Sequence, residues 1–286
     1  MKVLYLDLDS LRRDHLGCYG YPRPTTPNID RIAREGARFT NGYAADTPCV
    51  PARASIFTGR WGIQTGLLTH GPRAQQIGRY GPPAERGRGP GQVTASGASE
   101  FGPGWPPAGG GIPQVQQYLS GQLGESGLRT AVASTFCDQA PWFTRGWETY
   151  FRPRWDLPAQ RVQAPDINRF AIPWLKEHAQ GDFFMYVHYW DPHTPYVAPP
   201  SYVEPMLQCA PPSWPTDERI KADLEKYGDL PHSPRSHHIW GKREFDYWLA
   251  MYDAEIAFCD AHVGQVLDTL EAAGVLDDTL VLISTD

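Results

Sequence analysis

The chain has 286 residues, of which 41% are hydrophobic and 20% are charged, and its formal net charge is −6. This composition is typical of a soluble globular protein that is long enough for one large core or two smaller ones. The acidic balance and the lack of a basic run argue against nucleic acid as a partner. No apolar run approaches the roughly 20 residues that a membrane span requires, so we expect no membrane association.

The first nine residues, MKVLYLDLD, are too short and too acidic for the apolar part of a signal peptide. They predict a strand that begins almost at residue one, in a cytoplasmic protein. The cysteines are five in number, widely spaced and without a C-x-x-C pair. This pattern argues against a disulfide framework and against a zinc ribbon.

The first predicted strand, residues 3–9, carries two acids of the same parity, Asp7 and Asp9. Their side chains therefore point to the same side of the strand. Carboxylates at the C-terminal tip of a parallel strand lie where α/β sheets carry out chemistry. Asp9 could instead cap the following turn, but two acids in an apolar strand are costly to bury without a cation or hydrogen-bond donors.

A helix is predicted over residues 27–36, and residues 37–48 are expected to form a short strand and a loop that leads to Cys49. If a helix begins at Cys49, Arg53 follows one turn later on the same face. Backbone N–H groups, the helix dipole and a guanidinium would then surround one sulfur atom, which suits an anion and a nucleophile. A lone cysteine at a helix start is more commonly a small buried hydrophobic residue.

The remaining predicted elements alternate helix and strand at short spacing, which indicates an α/β fold with a mostly parallel central sheet and helices on both faces. They are a helix at 114–128, a strand at 130–134, a helix at 166–179, a strand at 183–190, a helix at 242–272 and a strand at 278–286. Two irregular excursions, at about 71–113 and 197–240, interrupt this order. The first is either a linker between domains or an ordered rim of an active site.

Three strand tips supply Asp9, His193 and Asp286, and the helix start supplies Cys49 and Arg53. Two acids at one sheet edge suit a hard divalent cation, which takes oxygen ligands. Such a cation and Arg53 together could neutralise an oxyanion, and His193 could protonate a leaving oxygen. His193 lies between two prolines just past a strand; the alternative is a turn histidine exposed to water.

The chain resembles the type I sulfatases of the alkaline phosphatase superfamily. Residues 49–53 (CVPAR), followed by Thr58 and Gly59, look like their C-x-P-x-R…T-G signature, which is highly specific. Residues 9–20 resemble their N-terminal metal motif, and residues 191–196 (DPHTPY) resemble their substrate-histidine segment. Residues 252–256 (YDAEI) and 279–286 resemble the helix and strand that lead to their second metal motif.

The resemblance implies an alkaline-phosphatase-like fold and the hydrolysis of a small-molecule or saccharide sulfate ester. It implies that a separate maturation enzyme oxidises Cys49 to formylglycine (3-oxoalanine). The hydrate of that aldehyde would attack sulfur, the alcohol would leave, and the second hydroxyl would expel sulfate. Asp9, residue 49 and Asp286 would bind Ca²⁺, or Mg²⁺ or Mn²⁺ in its place.

Three departures from the family pattern concern the site. The second of two adjacent acids is Ser10, which we expect to be a weak metal ligand, with Asp7 supplying the missing negative charge. The family's G-K-x-H segment should follow the strand at 130–134, where neither Lys nor His occurs; His70 is our candidate for its histidine, although an ordinary loop histidine fits equally. The family also continues beyond the position of Asp286 with His or Asn, then Gly, and later a lysine.

We therefore expect residues 1–286 to be the N-terminal portion of a single sulfatase catalytic domain, with little turnover by themselves. Within the superfamily, the alternative activity is hydrolysis of phosphonate monoesters or phosphodiesters by the same nucleophile and metal. An alternative of another class is a non-catalytic or binding remnant that lacks half of the metal shell.

Overall fold

A computed structural model describes residues 1–68, 118–138, 140–153, 162–227 and 239–286. Its centre is a five-stranded sheet in the order β3-β2-β4-β1-β5, and every strand pair among these residues is parallel. The strands are β1 Lys2–Leu8, β2 Arg129–Ala133, β3 Thr149–Phe151, β4 Phe183–Tyr189 and β5 Thr279–Ser284. The prediction of a mostly parallel sheet is confirmed.

Helices cover both faces of the sheet, as predicted. They are α1 Pro27–Glu35, α2 Cys49–Thr58, α3 Gly62–Thr65, α4 Leu119–Glu125, α5 Ala164–His178, α6 Pro200–Gln208, α7 Asp217–Tyr227 and α8 Lys242–Ala272. No helix in the described ranges is both long enough and apolar enough to cross a membrane.

The two faces of the sheet bury separate apolar clusters, because side chains alternate along each strand. On one face, Leu4, Leu6 and Leu8 of β1 pack with apolar residues of α1, α5 and α8. On the other face, Val3 of β1 and Phe184 of β4 pack with α2 and its surroundings. Asp7 has the parity of Val3, so its carboxylate points toward α2.

The structure differs from the sequence-based expectation in three stretches. Residues 37–48 contain no strand and reach Cys49 as turns and bends. The excursion expected over 197–240 contains the helices α6 and α7, each of which begins at a residue suited to a first helical turn, Pro200 and Asp217. The three-residue strand β3 was not predicted; its short run between two turns carries little periodicity.

Candidate active site

The guanidinium of Arg53 contacts three carboxylates at the C-terminal edge of the sheet. Its Nε donates to Asp7 Oδ2 at 2.7 Å, and its Nη1 donates to Asp9 Oδ2 and Asp286 Oδ2, each at 3.0 Å. Asp7 lies on β1, Asp9 follows β1, and Asp286 follows the neighbouring strand β5. The structure therefore brings the tips of β1 and β5 together with α2.

Helix α2 begins at Cys49, as predicted, and hydrogen bonds hold the loop that precedes it. Ala52 N donates to the carbonyl of Pro48 at 3.1 Å, which closes the first turn. The carboxylate of Asp46 accepts from Ser55 Oγ at 2.5 Å and from Gly62 N at 2.6 Å. One acid upstream of Cys49 thus ties the incoming loop to α2 and to α3.

Cys49, Asp9 and Asp286 form a compact cluster. One potential ligand atom from each lies within 4.8 Å of the other two. Cys49 and Asp9 are buried, and the Asp286 side chain is only 6% exposed. This is the ligand set that the resemblance implied.

Ser10 has a φ of 60°, in the left-handed region, where a residue other than glycine is strained by about 1–2 kcal/mol. Three contacts hold it there: its N–H donates to Asp286 Oδ1 at 3.0 Å, its Oγ donates to Asp9 Oδ1 at 2.8 Å, and its carbonyl accepts from Tyr252 Oη at 2.7 Å. The strained residue therefore orients both carboxylates. Its role as a metal ligand stays a prediction.

Burial and the neighbouring charges set the protonation states of the cluster. Burial alone would raise the pKa of Asp9, but Arg53 and then His188 outweigh it and hold that pKa well below the usual range. Burial, followed by the charge of Asp9, raises the pKa of the Cys49 thiol to about 12. At neutral pH, Asp9 is therefore ionised and Cys49 is a thiol.

The charges of the cluster, and a buried carboxylate oxygen without a hydrogen-bond partner, fit a divalent cation. Asp7, Asp9 and Asp286 face a single guanidinium, so formal negative charge is in excess by two. Asp7 Oδ1 is buried and has no hydrogen-bond partner among the described residues. Oxygen-rich sites with excess negative charge are those that Ca²⁺, Mg²⁺ and Mn²⁺ prefer.

His193 lies in the turn after β4, as predicted. Its Nδ1 donates to the Thr194 carbonyl at 2.5 Å, and its ring packs at 5.7 Å from that of Trp190. In the neutral ring, Nδ1 therefore carries the proton and Nε2 the lone pair. The other histidine candidate, His70, lies outside the described residues.

His188 belongs to the cluster and was not predicted from the sequence. It lies on β4, where the register pairs it with Asp7, and its Nε2 is 3.7 Å from Asp9 Oδ2. Burial, and then the charge of Arg53, lowers its pKa. The one signal in the sequence was that Asp7 and His188 are polar residues in otherwise apolar strands. Their contact could not be predicted, because the sequence does not show that β1 and β4 are neighbours.

One turn of α8 holds the two loops that carry the candidate residues. Tyr252 Oη accepts from Arg12 N, two residues after Ser10, at 2.9 Å. Asp253 accepts from three side chains of the same loop at 2.7 Å each: His15 Nδ1, Tyr21 Oη and Arg23 Nη1. Glu255 accepts from the backbone N–H groups of residues 197 and 198, just after His193.

Comparison with known proteins places these features in a family. The family model Sulfatase matches residues 2–286. An uncharacterized sulfatase of Escherichia coli, YidJ, is 26% identical over 294 aligned residues, which cover 93% of this chain and 53% of YidJ. The chain thus spans about half the length of that curated relative.

Solved structures share the fold. A phosphonate monoester hydrolase of Agrobacterium radiobacter superposes with a TM-score of 0.67 at 17% identity, over 99% of this chain and 62% of that one. A protein solved with its substrate D-glucosamine-2-N,6-O-disulfate superposes with a TM-score of 0.65 at 17% identity, over 99% and 65%. With the family match over nearly its whole length, and with this fold, the chain belongs to the sulfatase family of the alkaline phosphatase superfamily.

Proposed function

We propose that this protein hydrolyses sulfate esters, with residue 49 as the nucleophile after conversion of Cys49 to formylglycine. The observation that carries the proposal is the position of Cys49. It is the first residue of α2, it lies within 4.8 Å of ligand atoms of Asp9 and Asp286, and Arg53 follows one turn later.

The electrostatics of Cys49 disfavour a mechanism in which its thiolate is the nucleophile. Cysteine nucleophiles act as thiolates, and their pKa is normally lowered by their surroundings. Here burial and Asp9 raise the pKa of Cys49 to about 12, which disfavours a thiolate. The hydrate of formylglycine would supply an oxygen nucleophile and a second hydroxyl by which the sulfate can be released.

Arg53 would bind the sulfate group. Its Nη2 is buried and has no hydrogen-bond partner among the described residues, whereas its Nε and Nη1 are held by carboxylates. A guanidinium fixed on two sides presents its remaining N–H groups without reorganisation, which is the arrangement that best stabilises a developing oxyanion.

Asp9, Asp286 and residue 49 would hold a divalent cation, with Ser10 as a weak fourth ligand. When bound, the cation supplies positive charge next to the sulfate and the nucleophilic oxygen. His193 as the imidazolium would deliver the proton of its Nε2 to the leaving oxygen and keep the Nδ1 proton, which the Thr194 carbonyl accepts. His70 is retained as a candidate for a second histidine.

The substrate class is inferred from relatives. The structural neighbour with a bound glucosamine disulfate supports a sulfated saccharide, and a small-molecule sulfate ester is the other option. A formylglycine-generating enzyme would be the maturation partner. The cytoplasmic location, which fractionation of native cells tests, and the absence of nucleic-acid and membrane partners stay predictions.

Mass spectrometry and kinetics on the full-length protein test the proposal. In protein from a host with the maturation enzyme, the tryptic peptide 39–53 should carry the lower mass of the aldehyde at residue 49. Such protein should cleave an aryl sulfate in the presence of Ca²⁺ or Mn²⁺. We expect Cys49→Ala to lose several orders of magnitude in kcat/KM, as removal of a nucleophile does, and the control Cys209→Ala to lose none.

The structural similarity to a phosphonate monoester hydrolase supports a second candidate reaction at the same site. Parallel measurement of kcat/KM for an aryl sulfate, an aryl phosphonate monoester and an aryl phosphodiester decides between them. A much higher value for either phosphorus ester would replace the sulfatase assignment. An unmodified Cys49 and no turnover of any of the three would favour the non-catalytic remnant.

A further inference from the structure

His188 is enclosed between the sheet and a cage of aromatic rings. It is 0% exposed, and the rings of Phe136 and Trp190 lie 5.7 and 4.8 Å from its own. A fully buried imidazole is costly unless its two nitrogens find partners. The neighbours of each nitrogen therefore indicate where the ring carries its proton and which residue it contacts.

The Nδ1 atom is held by Ser134, which follows β2. Ser134 Oγ lies 2.9 Å from His188 Nδ1 and accepts from Phe136 N at 2.9 Å. The hydroxyl oxygen accepts the Phe136 N–H, and the hydroxyl can donate its own proton to His188 Nδ1. A neutral ring that accepts at Nδ1 carries its proton on Nε2.

The Nε2 atom faces Asp9. It lies 3.7 Å from Asp9 Oδ2, and it is one of the buried atoms with no hydrogen-bond partner among the described residues. The ionised carboxylate attracts an N–H group and repels a lone pair, which independently favours a proton on Nε2. The protonated imidazolium would present the same N–H to Asp9, so this arrangement does not depend on the charge of the ring.

We infer that His188 is a positioning residue that orients the Asp9 carboxylate through its Nε2–H, with its own ring fixed by Ser134. The inference rests on the proposed role of Asp9 in holding a divalent cation. Asp9 Oδ2 would then be held from two directions, by Arg53 Nη1 at 3.0 Å and by His188, and its Oδ1 by Ser10. The carboxylate is thereby turned to a fixed orientation before the cation arrives. Outer partners of this kind typically change metal affinity by about 10- to 100-fold.

Calorimetric titration of the full-length protein with Ca²⁺ alone, and then with Mn²⁺ alone, tests the inference. We expect His188→Phe, which keeps an aromatic ring without the N–H, to weaken binding by about 10-fold or more. His188→Gln should restore much of the affinity, because the Gln amide nitrogen occupies the place of Nε2. His188→Asn should not, because its amide nitrogen corresponds to Nδ1. The control His178→Phe, whose ring stacks on Trp174 on the far helix α5, should bind as the wild type does.

The outcomes separate this inference from the proposed function. If the wild type binds neither cation, the metal-dependent function and the role of His188 both fail. If the wild type binds and His188→Phe binds equally well, or if Asn restores affinity as Gln does, only the role of His188 is overturned. Should His188→Phe not fold, ¹⁵N chemical shifts of the imidazole in the unaltered protein decide: a neutral ring with its proton on Nδ1 overturns the inference, and one on Nε2 supports it.

Discussion

Arg53 Nη1 lies 3.0 Å from Asp286 Oδ2, and this ion pair joins residues that are 233 positions apart in the sequence. The same nitrogen is 3.0 Å from Asp9 Oδ2, and Nε is 2.7 Å from Asp7 Oδ2. One cation therefore holds α2 against the tips of β1 and β5. The arginine of the signature motif has a structural role in addition to the proposed binding of sulfate.

Replacement of Arg53 should destabilise the protein severely. Arg53→Ala would leave three buried carboxylates without their cation, and the loss of one partner from a buried ion pair costs about 3–5 kcal/mol. Thermal unfolding should show the loss, and added Ca²⁺ should restore more stability to this variant than to the wild type. The matched control is Arg31→Ala, whose partners Asp268 and Glu271 are exposed. Its loss of stability should be only about 0–1 kcal/mol, the usual contribution of exposed ion pairs. Equal losses in the two variants would contradict the prediction.

Removal of one carboxylate should weaken cation binding. We expect Asp286→Asn to lower the affinity for Ca²⁺ by more than the roughly 10-fold that loss of an outer partner costs, because Asp286 is proposed as a direct ligand. Calorimetric titration of the folded variant measures this. Asp278→Asn, at the exposed start of the β5 segment, is the control. An unchanged Kd in Asp286→Asn would remove this residue from the ligand set.

The hydroxyl of Tyr252 should stabilise the strained loop. Tyr252→Phe removes the acceptor of Arg12 N and the donor to the Ser10 carbonyl. Both hydrogen bonds are partly buried, and a typical hydrogen bond contributes about 0.5–1.5 kcal/mol, so denaturant unfolding should show a total loss of about 1–3 kcal/mol. Ca²⁺ affinity should fall as well, because Ser10 orients Asp9 and Asp286. The exposed Tyr227→Phe serves for comparison, and a Tyr252→Phe protein as stable as that control would argue against the loop's dependence on α8.

Asp260 should make stability depend on pH. It accepts from the backbone N–H groups of Asn28 and Ile29, in the first turn of α1, at 3.0 and 2.9 Å. Burial nevertheless raises its pKa to about 6, above the ordinary aspartate value of about 3.9. In this interval the folded protein binds the proton and the unfolded chain does not. The free energy of unfolding is therefore larger at low pH, falls as the pH rises through 6, and is then constant.

The contribution of Asp260 is measurable against Asp260→Asn. Two pKa units correspond to about 3 kcal/mol, so the wild type should gain up to that amount relative to the variant as the pH falls from about 7 to about 4. Urea unfolding at several pH values gives the difference, in which other titrating groups cancel. A difference that is flat with pH, or one that grows as the pH rises, contradicts the assignment.

Much of the fold followed from local pattern. The apolar runs of β1, β4 and β5, the long periodic helix α8 and the start of α2 at Cys49 all carry a strong signal within one segment. Helix α6 was missed because its proline-rich sequence suggested a loop; Pro200 stands in the first turn, where proline is well tolerated, whereas Pro205 lies inside the helix. The position of a helix or strand was therefore predictable where the residues of its own segment formed a distinctive pattern.

Contacts between segments were predictable only where a general rule of parallel sheets or the resemblance supplied them. Asp9, Cys49 and Asp286 could be grouped because strand tips of a parallel sheet meet at one edge. The approach of His188 to Asp9 depends on β4 being next to β1 and in a particular register, which neither segment encodes by itself. The hold of Asp253 on His15, Tyr21 and Arg23 likewise arises only when α8 packs beside the loop after β1.

The hydrogen bonds of α8 to two loops have a consequence for the local unfolding of the site. Tyr252 binds the N–H of Arg12, and Glu255, one helical turn away, binds the N–H of Ala198 at 2.6 Å. Both amides stay hydrogen-bonded while this turn of the helix stays in place. We therefore expect the loop that carries Asp9 and the loop that carries His193 to unfold as one cooperative unit, so that their amides exchange their hydrogens together although they are far apart in the sequence.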